Sequence, residues 1–250
     1  MIVQGYDTAQ GKVVNCVRGL LSPLLANVFL DEAIDDWFIE TNRIQFDGLC
    51  TLVRYADDMV FTAPSVEAAE ELRVLLSNRM QAYGLELHEG KTLVLSSGRK
   101  AAQTQAGIGA QMPTFTFLGF IHVWGQSLNR RTKKKFWRIK RRTCPVRFRA
   151  KLSGIAECLR KRRHEDKILE RMKAIVQGYL NYFAINDNSK RIKQFVYEVK
   201  MLMFKWLNRR SQRRSFNWEK FELILERIRF PEPRILHDLF FDSSAYRRNP

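Results

Sequence analysis

Asp57 and Asp58 stand side by side between two β-prone runs, residues 49–55 and 59–63. Two carboxylates held together repel, and burial raises their pKa unless a cation lies between them. A divalent ion ligated by carboxylate, water and phosphate oxygens resolves that conflict; a solvated turn is the other common home of such a pair. With a metal, the pair could hold a phosphate-bearing substrate. A second group of candidates is cationic. Arg130, Arg131, Lys133, Lys134, Lys135, Arg138, Lys140, Arg141 and Arg142 surround Phe136 and Trp137. Lys and Arg neutralise phosphates, while the aromatic rings either dock the segment on a core or stack on bases. Read at helical spacing, Lys133, Trp137 and Lys140 share one face.

These candidates need elements to hold them. Ser22-Pro23 is a good helix start, with Ser as cap and Pro at the first helical position. Leu25, Phe29, Ala33 and Trp37 then recur at helical spacing, which predicts a helix over 22–39. The two β-prone runs predict a hairpin with both acids at its tip. Ser65 opens a further helix, striped by Ala69, Leu72, Leu76 and Met80 and stopped by Gly84. A strand is expected at 92–95, a loop rich in Gly, Ala and Gln at 96–113, and a strand pair about Gly119 at 115–123. The second half reads as helical, with apolar stripes from Ile168 to Phe183, from Ile192 to Trp206, and a last helix at 218–228.

The 250 residues are long enough for a sizeable core without disulfide or metal staples. Cys16, Cys50, Cys144 and Cys158 form no CxxC pair, which suits reduced thiols in the cytoplasm. No apolar run approaches a membrane span, so no membrane partner is expected. The formal charge of +17 is unevenly placed: residues 1–125 hold 9 Lys/Arg against 14 Asp/Glu, and residues 126–250 hold 34 against 12. An ordinary folded half is thus joined to one suited to a polyanion, nucleic acid above all. The expected boundary lies at 126–130. Gly84, Gly90, Lys91 and Thr92 do not make a phosphate loop, since five residues separate the glycines where that motif has four.

In this order, the motifs resemble the reverse transcriptase/maturase proteins encoded by group II introns. Gly19-Leu20-Leu21-Ser22-Pro23-Leu24-Leu25-Ala26-Asn27 is similar to the start of the family's palm helix. Val53-Arg54-Tyr55-Ala56-Asp57-Asp58 is similar to the polymerase YxDD signature. Gly84-Leu85-Glu86-Leu87 with Lys91-Thr92 resembles the next palm motif, and Phe117-Leu118-Gly119-Phe120 the primer-grip strand pair. Residues 175–183 (IVQGYLNYF) and 207–221 (LNRRSQRRSFNWEKF) resemble the thumb or maturase-specific region.

The resemblance implies an α+β fold: a partial right-hand polymerase palm over 1–125, antiparallel strands with packed helices, followed by a basic α-helical thumb/maturase region over 126–250. It implies an RNA-directed DNA polymerase, a nucleotidyltransferase of a mobile intron. The partners would be an RNA template, a DNA primer and the structured intron RNA whose splicing it assists. Asp57 and Asp58 would hold Mg²⁺, or Mn²⁺. Tyr55 would pack beneath the turn and Ala56 beside the primer terminus or nucleotide. Lys91 would lie near the departing phosphates, and Leu118 and Gly119 in the primer grip.

Two family features are missing. The upstream metal-ligating Asp has no counterpart but Asp7, only 15 positions before Ser22. The Pro-Gln-Gly stretch before the palm helix is also lacking, with Arg18-Gly19 running straight into Leu20. The expectation is a C-terminal part of a longer enzyme, lacking fingers and upstream palm, that does not polymerise alone. The alternative is a noncatalytic RNA-binding maturase or degenerate remnant.

Overall fold

The computed structural model describes residues 2–4, 6–8, 22–129, 132–209 and 217–239. The chain divides into two compact units, one of residues up to 118 together with 126–138, the other of 119–125 together with 139 onward. The expected boundary at 126–130 falls at the start of the segment 126–138, which groups with the first unit. Among the described residues no helix is long and apolar enough to cross a membrane.

The first unit is mixed α/β. Its strands are β1 (Ile2–Gln4), β2 (Tyr6–Thr8), β3 (Thr51–Tyr55), β4 (Asp58–Thr62), β5 (Leu85–Leu87) and β6 (Phe115–Phe117). An antiparallel sheet runs in the order β1-β4-β3, and β2 pairs antiparallel with β5. The helix begun by Ser22-Pro23 is longer than the spacing predicts. α1 (Ser22–Leu30) passes into a π-helical stretch, Asp31–Asp36, and on into α2 (Trp37–Gln45). α3 (Val66–Ala82) starts where expected, with the Ser65 hydroxyl accepting from the Ala68 amide at 3.1 Å, and Gly84 ends it at φ +69°.

Period-two burial in β4 hides Met59 and Phe61, while Leu30, Ile34 and Phe38 on one helix run and Leu72, Leu76 and Met80 on α3 fill the same core. Each of these fully buried side chains contributes roughly 1.5–3 kcal/mol. Arg79 ties α3 to the π-helical stretch by donating to the carbonyls of Ala33 at 3.0 Å and Glu32 at 3.2 Å. Two expectations fail here. Residues 92–95 give a single bridge residue, Leu93, rather than a strand, and the sheet edge is β5 instead. Residues 96–113 are not all loop: Arg99–Gly107 forms α4, built on the strong helix formers Ala101, Ala102, Gln103 and Gln105, with Ala102 buried.

The second unit is mainly helical. Of β7 (Phe120–Leu128) and β8 (Lys135–Thr143), neighbours in a sheet, residues 120–125 and 139–143 fall in it and the rest in the first unit; they lead into α5 (Pro145–Arg162), α6 (Ile168–Phe183), α7 (Ser189–Leu207) and α8 (Trp218–Arg227). Phe148, Ile155 and Leu159 of α5 meet Met172, Val176 and Leu180 of α6, Phe195, Val199 and Met203 of α7, and Phe221 of α8 in one core. A buried polar knot fixes the end of β8 to this core. Asn188 accepts from the Thr143 amide at 2.9 Å and donates to the Thr143 hydroxyl at 2.7 Å and the Phe183 carbonyl at 2.9 Å. Tyr179 lies 5% exposed beside it, and burial raises its phenol above the ordinary tyrosine range.

The basic run is the largest correction. Residues 135–143 form a strand and not a helix. Like charges three and four apart repel on a helix, whereas a strand sends successive side chains to opposite faces. Phe136, Trp137, Ile139 and Thr143 are also β-prone types. In β8, Arg138, Lys140 and Arg142 fall on one face, Lys135, Trp137 and Arg141 on the other. α5, which the sequence reading does not single out, has Pro145 at its first turn and turns Phe148, Leu152, Ile155 and Leu159 to the core at helical spacing.

Candidate active site

The carboxylate hairpin is short and fully registered. Thr51 faces Thr62, Val53 faces Val60 and Tyr55 faces Asp58, so the connecting loop is Ala56-Asp57 alone. Only one of the two acids is at the tip. Asp57 is in the loop and exposed, while Asp58 is the first residue of β4, half-buried, with Tyr55 opposite it on one side and Gln4 of β1 on the other. Residues directly opposite in an antiparallel pair share a face. Asp58 therefore belongs with Tyr55, Val53 and Val60, the more open face of the sheet, and Met59, Phe61, Leu52 and Arg54 belong with the helices.

The tip carries strain. Ala56 has φ +52°, and of the two loop residues it alone lies in the left-handed region, the pattern of a turn that favours glycine at its first central position. An L-residue there costs about 1–2 kcal/mol, of which glycine would give back part as unfolded-state freedom. Ala56→Gly is expected to leave the unfolding free energy from urea titration equal or higher, and Ala56→Val to lower it by about 1–2 kcal/mol, because a β-branched side chain tolerates positive φ least.

What aims the hairpin is an ion pair invisible in the motifs. Arg54 grips Asp35 with two guanidinium nitrogens, Nε donating at 2.8 Å and 3.0 Å and Nη2 donating to Oδ2, and Nη1 donates to Asn27 Oδ1 at 3.2 Å. One side chain thus ties β3 to α1 and to the π-helical stretch. Asn42 of α2 holds the other end of β3, donating to the Cys50 carbonyl at 2.9 Å and accepting from its amide at 3.0 Å. The signal was a charged residue in the helix-facing register of an otherwise apolar strand. Beside this clasp a groove of about 740 Å³ is lined by Pro23, Asn27, Ile39, Arg54, Tyr55 and Ala56, among others.

The remaining candidates fall in several places. Tyr55 does not pack beneath the turn. It is 65% exposed and lines the groove, because the register that turns Arg54 toward the helices turns its neighbour away. Lys91 is exposed at the end of a 3₁₀ turn, Glu89–Lys91, that lies against β1. Leu118 and Gly119 join β6 to β7 with φ +49° and +78°, the two-residue turn in which both central positions are left-handed. A Cβ on Gly119 would meet Arg147 at 3.4 Å and Phe183 at 3.5 Å. Asp7, in β2, pairs opposite Glu86 of β5 and not in the sheet of Asp58.

Of the cationic candidates, Lys133 and Lys134 are exposed in the loop before β8, and Lys135, Arg138, Lys140, Arg141 and Arg142 are on the strand. Arg138 donates to the Ser127 hydroxyl at 2.7 Å. The aliphatic stem of Lys140 passes over Gly125, within 3.1 Å of where a Cβ would stand. Arg130 and Arg131 lie outside the described residues.

Among the described residues no group of three or more His, Cys, Asp or Glu side chains is arranged to hold a metal ion. The donors at the hairpin are two carboxylates on consecutive residues. No curated protein matches the chain. Residues 18–122, which carry α1, the Asp57-Asp58 hairpin and the Leu118-Gly119 turn, match the family model for reverse transcriptase, the RNA-dependent DNA polymerase.

Proposed function

We infer that the chain is a reverse transcriptase of the group II intron type, in which the first unit serves as part of the palm and the second as thumb and maturase region. The observation that carries this reading is the two-residue Ala56-Asp57 loop, with Asp58 beginning the next strand, inside the stretch that matches the reverse transcriptase family. The intron type rests on the resemblance of residues 175–183 and 207–221 and on the surplus of cations in the second half. Its setting would be the cytoplasm.

The donor chemistry fits Mg²⁺. That ion is commonly held by one or two carboxylates together with waters and substrate phosphates, and needs no all-protein cage. Asp57 and Asp58 would hold it, and when bound it supplies charge stabilisation at the reacting phosphate. The chain's own residues do the rest. The Arg54 clasp fixes the angle of the hairpin, Ala56, with its small side chain beside the carboxylates, would leave room for the primer terminus or nucleotide, and Tyr55 borders the groove where a nucleotide or primer end would rest. Lys91 would meet the phosphates as a cation or proton donor.

RNA template, DNA primer and structured intron RNA would be held by Lys133, Lys134, Lys135, Arg138, Lys140, Arg141 and Arg142, with Arg130 and Arg131 extending the run. If about six phosphates are neutralised, log K for duplex falls with log salt at a slope near −5. An affinity titration over a salt series checks this, and a flat response would count against the cationic footprint.

The 250 residues alone are not expected to extend a primer, because the two-metal chemistry of the family takes a third carboxylate and Asp7, 15 positions before Ser22, stands in the wrong sequence context to supply it. Primer extension on an RNA template with Mg²⁺ decides: robust template-dependent synthesis refutes this. The same sequence context favours a second reading, a noncatalytic RNA-binding maturase. Splicing assistance that ignores Asp57→Asn, with no metal-dependent nucleotide binding, would select it.

A further inference from the structure

In the second unit, α5 packs principally on α7, and between α5 and α6 there remains a groove of about 390 Å³. One wall is cationic. Arg147 and Lys151, four residues apart on α5, line it one turn above the other. The opposite wall is flat and apolar. Gly178 of α6 faces open space, with nothing within 4 Å of where its Cβ would be. One turn on, Tyr182 lines the same groove and is 50% exposed. The Tyr182 ring is braced from behind by Phe120, stacked on it at 5.8 Å between centroids and 17° between planes. No acidic side chain is among the lining residues.

An exposed tyrosine held by a second ring loses little freedom when a third flat group is added. A helix glycine without a packing partner keeps open the space that any other side chain would fill. Two cations one turn apart beside that space match an anionic backbone running along the groove. Flat apolar surface next to paired positive charge is the chemistry of an unpaired nucleotide, with its base on the ring and its phosphates on the cations. A base within a duplex is already stacked on both faces and has none to offer.

We propose that this groove binds a single-stranded nucleotide, stacking an unpaired base on Tyr182 and holding the adjoining phosphates on Arg147 and Lys151. The groove takes none of its lining from the Asp57-Asp58 hairpin and only Thr143 from the basic strand, and the proposal rests only on the chain's binding of nucleic acid.

The experiment is fluorescence anisotropy on the full chain with a labelled single-stranded RNA octamer, and in parallel with the same octamer annealed to its complement. Tyr182→Ala should weaken single-strand binding by about 5- to 150-fold, the span of one stacked base, and change duplex binding by less than about 2-fold. Gly178→Leu fills the groove from a position where leucine favours the helix, and should act in the same direction, with helix content followed by circular dichroism. Single-strand affinity unchanged in both variants overturns the proposal, as does an equal loss for both RNA forms. A poly-glutamate peptide that competes as well as the octamer overturns it too, in favour of an acidic protein partner. A wild-type chain that binds neither RNA sinks the RNA-binding reading along with the groove, whereas normal wild-type binding with an indifferent Tyr182→Ala sinks the groove alone.

Discussion

Asp57→Asn is expected to abolish Mg²⁺-dependent binding of deoxynucleoside triphosphate, with at least about a 100-fold loss, equivalent to about 2.7 kcal/mol, and Asp58→Asn to do the same. Each substitution keeps the shape of the side chain and removes half of the negative charge that would face the cation. Asp57 is exposed in its loop, so its replacement should leave the unfolding free energy within about 0.5 kcal/mol of the parent. Calorimetric titration with and without Mg²⁺ measures the loss, and RNA affinity measured beside it should not move. Nucleotide binding that survives both substitutions at parental strength would remove the carboxylates from the site.

Arg54→Ala should have the largest effect on stability of any change near the hairpin. It strips three hydrogen bonds from Asp35 and one from Asn27, leaving a carboxylate whose side chain is 27% exposed without its cation. Breaking a fully buried pair costs about 3–5 kcal/mol; partial solvation of Asp35 brings the expectation here to about 2–3 kcal/mol. The companion Arg54→Met with Asp35→Leu should recover most of that, since replacing both partners leaves no orphaned charge. Urea unfolding of the two variants and of each single substitution closes the cycle. A loss under about 0.5 kcal/mol for Arg54→Ala would mean that the hairpin is held by its apolar face alone.

How far the residues announced this arrangement depended on the range of the interaction. The hairpin, α3 with its Ser65 cap, and α6 to α8 were readable because their signals are local: alternation, a cap, an apolar stripe every three or four residues. The same locality misled at 133–142, where dense cations looked like a helix face although Phe136, Trp137 and Ile139 argued for a strand. The Arg54–Asp35–Asn27 clasp spans 19 and 27 positions, and no window over the sequence joins them. Asp58 in the ladder rather than in the loop follows from register, and register is set by the two-residue turn, which demands positive φ from an alanine that nothing local marks as suited to it. The grouping of 126–138 with the first unit and of 119–125 with the second has no local signal in the sequence.

The π-helical stretch at Asp31–Asp36 accommodates one residue more than an α-helix of the same span needs. Excising one residue there would let the coil relax to ordinary α pitch with Phe38 still turned to Phe61 and Asn42 still within reach of Cys50, whereas a cut within regular α-helix turns everything beyond it by about 100° about the axis. The stretch is thus a slack link: loss of a single codon is tolerated there far better than in the α-helical flanks on either side.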